Sequence, residues 1–273
     1  MYPRSTKSYY LEIKLIRLDS KMDETTMNKN IPISPIGRQL QSNLWFKIGE
    51  IVVLFLIVLA FVGLILPLVG DDLVLKQLVV WIANILMLVY VAAGIMLRGE
   101  KWRNFGLTFK SVTIKESVRV FLLSILVLFL ALLGFVIGSI IMANITGIPE
   151  GSADMSGYEY FKDNIGMLIL TLVGVYIASS FGEEVIYRAF LINRISEIGK
   201  SSKNATIIAV VLSSIIFGLI HYDWGPMGIV QTGFMGLALG ICYIKLKKRL
   251  WILVLAHAYM DTILMVQLYL ASN

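Results

Sequence analysis

Two adjacent carboxylates, Glu183 and Glu184, and a nearby cation, Arg188, lie in the middle of a long apolar stretch of the chain. A charged side chain near the centre of a bilayer costs at least about 2.5 kcal/mol, even on lenient insertion scales. Three such residues so close together are expected to do chemistry or to bind something. The pattern therefore predicts a functional site inside a membrane or at its edge.

The spacing on a helix gives the two glutamates different partners. Residues four apart share a face, so Glu184 faces Arg188, which holds it ionised, while Glu183 faces Tyr187. Glu183 points about 100° away from Glu184 and has no cation of its own. It is therefore the better candidate for proton transfer. The alternative is a buried ion-pair network that braces helices, and the odd carboxylate argues against it.

Both histidines of the chain also fall in apolar segments. His257 and Asp261 are four residues apart, so the carboxylate can fix the tautomer of the ring, or both side chains can face one small ligand. A packing role is the alternative for this pair. His221 is followed by Tyr222 and Trp224, and such rings concentrate at membrane interfaces. It is therefore either an interfacial anchor or a member of the site.

The composition indicates a polytopic membrane protein. Of 273 residues, 58% are hydrophobic and only 15% are charged, which is unlike a soluble chain of this length. The single cysteine, Cys242, argues against a disulfide framework and against a cysteine-rich zinc site. The net charge of +6 would suit nucleic acid in a soluble protein. Here the basic residues are sorted by loop, so we expect no nucleic-acid partner.

Seven apolar runs are long enough to cross about 30 Å of hydrocarbon at about 1.5 Å per residue. They predict an all-α fold, a polytopic transmembrane bundle of about seven or eight helices around a polar cavity. Residues 1–46 are expected to form a polar cytoplasmic tail and 47–273 the bundle, with a catalytic core at about 160–265. The fourth run is too long for one plain span, so we expect it to break, or to emerge from the membrane, near the two glutamates. The runs lie near 48–69, 75–97, 117–144, 164–195, 204–221, 227–245 and 250–271.

The loops between these runs alternate in basic charge. Eight Lys or Arg residues lie in 1–47, and the second, fourth and sixth loops carry six, three and four. The first and third loops carry one each, and the fifth loop and the carboxyl-terminal tail carry none. Cytoplasmic loops carry the basic excess. We therefore expect a multi-pass protein of the plasma membrane with its amino terminus inside and its carboxyl terminus outside.

If every run is a straight span, the two histidines lie at different depths in the membrane and cannot share a site. His221 would lie about 27 Å from the inner face, and His257 only about 10–12 Å from it, at 1.5 Å per residue. A shared site then requires a broken fourth segment, strong tilts, or a water-filled cavity lined by the loop at 222–226.

Three motifs occur in a fixed order, each in an apolar span, and their combination resembles one known family. It is the CAAX prenyl endopeptidase and bacteriocin-processing family of intramembrane proteases, also called the abortive-infection or CPBP family. The resemblance covers about residues 160–265 and has no counterpart in 1–110. The motifs are Glu183-Glu184-x-x-x-Arg188, Phe217-x-x-x-His221 and His257-x-x-x-Asp261.

The resemblance implies an endopeptidase that hydrolyses a peptide bond of a membrane-associated or prenylated protein or peptide. Glu183 would be the base that activates a water molecule, and His221 would hold the same water. Glu184 would be a supporting carboxylate paired with Arg188.

The resemblance also assigns the oxyanion of the tetrahedral intermediate to His257 and Asp261. The prenyl-protease branch commonly has Asn at the last position, and an ionised aspartate cannot donate a hydrogen bond to an oxyanion. Either Asp261 is protonated, or it orients a His257 imidazolium that donates. The aspartate resembles the bacterial branch, which favours peptide processing, bacteriocin immunity or regulated membrane proteolysis over a CAAX substrate.

A metal ion is an alternative to metal-free chemistry. Glu183, Glu184, His221 and His257 could supply ligands to Zn²⁺ and leave a position open for water. The helical His-Glu-x-x-His spacing is missing, and a glutamate-activated water needs no ion. The sequence therefore favours a site without a cofactor.

Two other classes of protein stay open. A proton-coupled transporter would use intramembrane carboxylates and histidines as a relay, but it predicts inverted repeats, and none is visible. A catalytically inert immunity or scaffold protein would keep the same constellation, and its phenotype would survive the substitution Glu183→Gln.

Overall fold

The computed structural model describes residues 32–108, 113–147 and 156–273. Within these ranges the chain forms helices and no strand, which confirms the predicted all-α bundle. Short 3₁₀ turns lie at Leu66–Val69, Trp102–Phe105, Ser156–Phe161 and Tyr222–Trp224. The described helices are α1 (Pro35–Ser42), α2 (Leu44–Ile65), α3 (Leu73–Leu97), α4 (Ile114–Thr146), α5 (Ile165–Ile198), α6 (Lys203–Leu219), α7 (Gly225–Lys245) and α8 (Leu250–Ser272).

Six of these helices, α2, α3, α4, α5, α7 and α8, are long and apolar enough to cross a membrane. The seventh apolar helix, α6, has 17 residues, which is the lower limit for a span. The chain is therefore an integral membrane protein. The first 31 residues of the predicted tail lie outside the described residues, and its remainder contains α1.

The long helix α5 does not break near the two glutamates, so the predicted break is wrong. It runs through all 34 residues, and its middle widens into π-helical turns at Tyr176–Phe181 and Glu184–Ile192. Wider turns change the direction of the side chains without interrupting the backbone ladder, and they occur often at functional sites. Ser213 of α6 donates a hydrogen bond of 2.7 Å to the carbonyl of Tyr187 in the second π-helical segment.

The helix α6 ends at Leu219, so His221 lies in the turn beyond it rather than in the predicted span to residue 221. The backbone N–H of His221 donates to the carbonyl of Gly218 at 3.0 Å, which tightens the end of the helix. The turn ends at Gly225, whose φ of +68° favours glycine. His221 is therefore placed by a turn and not by a helix face.

A second cluster of buried charges, here called the bracing cluster, joins α2, α3 and α5. Arg98, 1% exposed, contacts Glu50 at 2.7 Å and Glu100 at 3.2 Å and also pairs with Glu197. Arg194 contacts Glu100 at 2.6 Å and Glu50 at 3.3 Å. The remaining member is Lys47, which contacts Glu197 at 3.1 Å. The sequence analysis had counted Glu50 within an apolar run and Arg98 and Arg194 among the loop cations.

The short helix α1 is tied to the same region. The Arg98 guanidinium donates to the carbonyl of Leu40 at 2.9 Å, and Gln41 donates to the Arg98 carbonyl at 2.7 Å. A Cβ atom on Gly37 would lie 1.8 Å from the Leu97 carbonyl oxygen, so only glycine permits this approach. The end of the predicted tail is thus part of the folded protein.

Candidate active site

Glu184 connects α5 to α8. Its side chain is fully buried, and Oε1 lies 2.9 Å from His257 Nδ1 and 3.1 Å from Arg188 Nη1. The pairing with Arg188 is the one that the spacing predicts. A carboxylate that accepts from Nδ1 fixes the orientation of the imidazole and leaves Nε2 as the ring nitrogen that can act on another group.

Glu183 faces that second nitrogen. Its Oε2 atom lies 3.9 Å from His257 Nε2, which is too long for a hydrogen bond. The same oxygen is buried and has no hydrogen-bond partner among the described residues. Within the described part of the chain, Glu183 thus has no cationic partner other than the imidazole, and its carboxylate faces the ring that Glu184 orients.

Asp261 lies on the same side of the ring. Its Oδ1 atom is 3.8 Å from His257 Nε2, so the two side chains face one location without a direct hydrogen bond. Its other oxygen accepts a hydrogen bond of 2.6 Å from Ser180 Oγ. The tautomer of His257 is therefore fixed by Glu184 and not by Asp261, while Asp261 is itself held by α5.

Ser180 is a residue that the sequence analysis missed. It is fully buried in the first π-helical segment, and its hydroxyl reaches the carboxylate of Asp261 across 81 positions of sequence. One signal was present in the sequence, because Ser180 precedes Glu183 by three residues and such pairs share a helix face. Serine is common in apolar helices, however, and the position of Ser180 in the sequence does not predict that it contacts Asp261.

Phe217 packs against Arg188, Tyr187 and both histidine rings. The Arg188 guanidinium lies over its ring at 4.2 Å, a cation–π contact that suits a buried arginine. Its centroid is 5.0 Å from that of His221 and 6.4 Å from that of His257, and Tyr187 packs on it at 5.2 Å. The ring lies close to the backbone of α7, because a Cβ atom on Gly236 would come within 2.9 Å of it. Phe217 thereby fixes the positions of Arg188 and of both histidine rings.

His221 lies at the edge of this arrangement. Its Nδ1 atom is 2.8 Å from the Phe217 carbonyl oxygen, and its ring packs on Trp224 with centroids 5.1 Å apart. No hydrogen bond or ion pair joins it to Glu183 or His257 in the part of the chain that the structure describes. The structure thus brings five of the six predicted site residues together and places His221 beyond Phe217. The five are Glu183, Glu184, Arg188, His257 and Asp261.

The four predicted zinc ligands do not form a metal site. Glu184 already contacts a guanidinium and an imidazole, and His221 lies beyond Phe217. Across residues 32–108, 113–147 and 156–273, no three His, Cys, Asp or Glu side chains are arranged to hold a metal ion. The four side chains named for Zn²⁺ are thus not gathered around one centre in the described residues.

The fold and the site define a polytopic membrane protein with buried glutamates set against a histidine. Residues 165–263 match the family model described as Rce1-like, type II CAAX prenyl endopeptidase. The match begins at the first residue of α5 and ends in α8, two residues after Asp261, so it confirms the resemblance seen in the motifs and supports a membrane protease. Neither a curated protein nor a solved structure matches the chain.

Proposed function

We propose that the protein is an intramembrane endopeptidase that hydrolyses a peptide bond with a water molecule activated by Glu183. The observation that carries the proposal is the pairing of Glu183 Oε2, buried and without a hydrogen bond among the described residues, with a histidine whose other nitrogen is fixed by Glu184. An acceptor without a partner, beside an oriented imidazole, is the arrangement that a general base requires.

The proposed reaction is a general-base hydrolysis. Glu183 takes a proton from water as the water oxygen attacks the scissile carbonyl carbon. His257, as an imidazolium held by Glu184, donates from Nε2 to the oxyanion that forms. The protonated Glu183 then gives its proton to the amide nitrogen as the carbon–nitrogen bond breaks, so the base is restored at the end of the cycle.

Two further residues support this reaction in the proposal. Asp261, held by Ser180, keeps a negative charge or a shared proton beside the imidazole. His221 is the other histidine of the chain, and its ring contacts Phe217 as that of His257 does. We assign it to holding the water from the aqueous edge, since it follows the end of α6.

We also propose that the reaction uses no metal ion. Support comes from Glu184 Oε1, which contacts both Arg188 and His257 and so serves to orient the imidazole. A glutamate-activated water has all the components that peptide hydrolysis needs. The expected result is full activity in the presence of a chelator.

The proposed substrate is a membrane-associated protein or peptide, with or without a prenylated cysteine. Asp261 stands where the prenyl-protease branch commonly has Asn, which favours peptide processing, including bacteriocin processing. We place the protein in the plasma membrane, and the alternation of basic loops supports an amino terminus in the cytoplasm.

Cleavage of fluorogenic peptides by the purified protein in detergent tests the proposal. Matched peptides with and without a prenylated cysteine are compared for the wild type and for Glu183→Gln, with a chelator and with added Zn²⁺ as parallel arms. We expect cleavage by the wild type that survives chelation and is lost in the variant. Equal activity of the variant would refute the role of Glu183, and loss of activity on chelation would refute the metal-free reaction.

A further inference from the structure

A cavity of about 540 Å³ lies beside the turn that joins α7 to α8, apart from the glutamates. Its basic lining comes from the ends of helices and from turns, at Arg103 and at 247–249. Its apolar lining comes from one to two turns inside the helices, at Val120 and Phe121 of α4 and at Leu255 of α8. The cavity is therefore amphipathic, with cations at the level of the helix ends and apolar walls deeper in the bundle.

Two of the four cations are available to a ligand. Arg103 and Lys247 are exposed, and neither forms an ion pair within the described ranges. Arg249 pairs with Glu116, an acidic neighbour of the cavity, and Lys248 donates to Asn193 Oδ1 at 2.5 Å. Within the described residues, Arg103, Lys247 and Lys248 thus have no carboxylate partner where the cavity meets the helix ends, and the side chains of Arg103 and Lys247 also have no hydrogen-bond acceptor there.

The wall of the cavity is held by backbone contacts. Lys247 and Lys248 both have left-handed backbone conformations, with φ of 55° and 60°. Their turn packs directly on Gly106, where a Cβ atom would lie 1.5 Å from the Lys248 carbonyl oxygen. The Trp251 indole donates to the Thr108 carbonyl at 3.1 Å on the same wall. The position of this wall is therefore set by contacts between the turn at 247–248, Gly106 and Thr108.

The cavity is separated from the glutamates by α8 itself. Leu255 and Tyr259 line the cavity and are four residues apart, so they share one face of the helix. His257, midway between them in sequence, is about 200° around the helix and faces α5. A peptide bond next to Glu183 and a ligand in the cavity would therefore lie on opposite sides of α8. This geometry argues against a subsite for the peptide substrate.

We propose that this cavity binds one anionic phospholipid, with the phosphate headgroup at Arg103 and Lys247 and an acyl chain along Val120, Phe121 and Leu255. Basic pockets between membrane helices, on the side that carries the basic loops, suit anionic headgroups. The apolar walls at Val120, Phe121 and Leu255 lie deeper in the bundle than the cations and suit the first methylene groups of an acyl chain. The proposal does not depend on the peptidase function.

Native mass spectrometry of the purified full-length protein tests the proposal. The protein is titrated with phosphatidylglycerol and with phosphatidylcholine of the same acyl chains, and glycerophosphoglycerol serves as the chain-free headgroup. The variant Arg103→Gln/Lys247→Gln removes the two available cations. The control Lys200→Gln/Lys203→Gln removes two exposed cations from the same side of the protein, outside the cavity.

We expect one phosphatidylglycerol to bind in preference to phosphatidylcholine, and the cavity variant to weaken it about 25-fold, since each basic residue near a membrane surface contributes about fivefold. The control variant should bind as the wild type does. Equal binding of the two lipids, or equal losses in both variants, would overturn the proposal. Competition by the chain-free headgroup at the same concentration would point to a phosphate site instead, and displacement by a peptide would point to a substrate site.

Discussion

The single helix α5 carries two buried charge clusters of opposite design. The bracing cluster balances three acids, Glu50, Glu100 and Glu197, against three bases, which are Lys47, Arg98 and Arg194. The candidate active site sets Glu183, Glu184 and Asp261 against Arg188 and His257, so acids exceed bases even when the imidazole is charged.

The two clusters also differ in how many buried polar atoms lack a hydrogen bond among the described residues. The bracing cluster has two, Glu50 Oε1 and Arg194 Nε, and the candidate site has four, Glu183 Oε2, Glu184 Oε2 and both Nη atoms of Arg188. Arg98 donates hydrogen bonds to three acidic side chains and to a backbone carbonyl. In the candidate site, Arg188 meets one carboxylate and an aromatic face, and neither of its Nη atoms has a hydrogen bond within the described residues. A balanced, bonded cluster stabilises a fold, whereas an unbalanced one keeps acceptors free for a substrate. The balance of charge therefore distinguishes a cluster that stabilises the fold from a candidate catalytic site. Burial does not distinguish them, because both clusters are buried.

Matched glutamate-to-glutamine substitutions should produce the largest contrast between the clusters. Glu183→Gln should lower kcat about 10³- to 10⁴-fold, because it removes the general base. It should not lower the free energy of unfolding, because the lost carboxylate has no hydrogen-bonded partner. Glu50→Gln should do the reverse, with reduced stability and near-normal kcat for the folded fraction. Peptide cleavage and SDS unfolding measure the two quantities, and parallel effects in both variants would contradict the comparison.

Arg98→Met should cost about 3–5 kcal/mol of stability, because it leaves several buried carboxylates without their cation. The free energy of unfolding in detergent measures this loss. The control Lys76→Gln removes an exposed cation whose ion pair within the described residues is with Asp71, and it should change stability by no more than about 0.5 kcal/mol. Lost activity at unchanged stability would instead connect Arg98 to the chemistry.

His221→Gln should reduce kcat about 100-fold if the imidazole holds the water. His221→Tyr keeps an aromatic ring at the interface, so it separates the two roles proposed for this residue. An interfacial anchor would be rescued by tyrosine, whereas the water-holding role would not. Peptide cleavage by both variants decides between them, and wild-type activity in His221→Tyr would remove His221 from the site.

Ser180→Ala should lower kcat about tenfold with little change in KM, because a hydrogen bond to a charged group contributes about 1.5 kcal/mol. Ser180 is a positioning residue that acts through Asp261. Ser213→Ala, which removes a buried hydroxyl bonded to a backbone carbonyl, serves as the matched control and should affect stability but not kcat. The same fall in kcat for both variants would indicate a general packing effect.

The sequence predicts the parts of the site that lie within one helical turn. The pairing of Glu184 with Arg188 follows from the helical period, and the apolar runs locate the helices because hydrocarbon sets their length. The contact of Glu184 with His257 spans 73 positions and depends on how two helices are rotated. The π-helical widening of α5 adds to this rotation, and no residue type in the sequence predicts such widening.

The bracing cluster could not be predicted from the sequence either, because its residues are far apart in the chain. Glu50 and Arg98 lie at the ends of different apolar runs, where a lone charge is ordinary. Only their approach in the bundle, together with Arg194 of α5, makes them a buried network. Basic residues counted as loop charges therefore include some that never meet water.

The position of α5 along the chain has a consequence for biogenesis. When α5 leaves the ribosome, Glu50, Arg98 and Glu100 have already been made, so Arg194 and Glu197 find their partners at once. Glu184 has Arg188 from the start, but His257 is synthesised later, and Glu183 has no counter-charge until α8 arrives. The carboxyl-terminal end of α5, which carries Arg194 and Glu197, is thus fixed early. Glu183 and Glu184 gain their contacts with His257 only when α8 has been inserted. In a nascent chain that stops before α8, α5 should therefore be held only through Arg194 and Glu197. We expect membrane quality control to recognise such a chain.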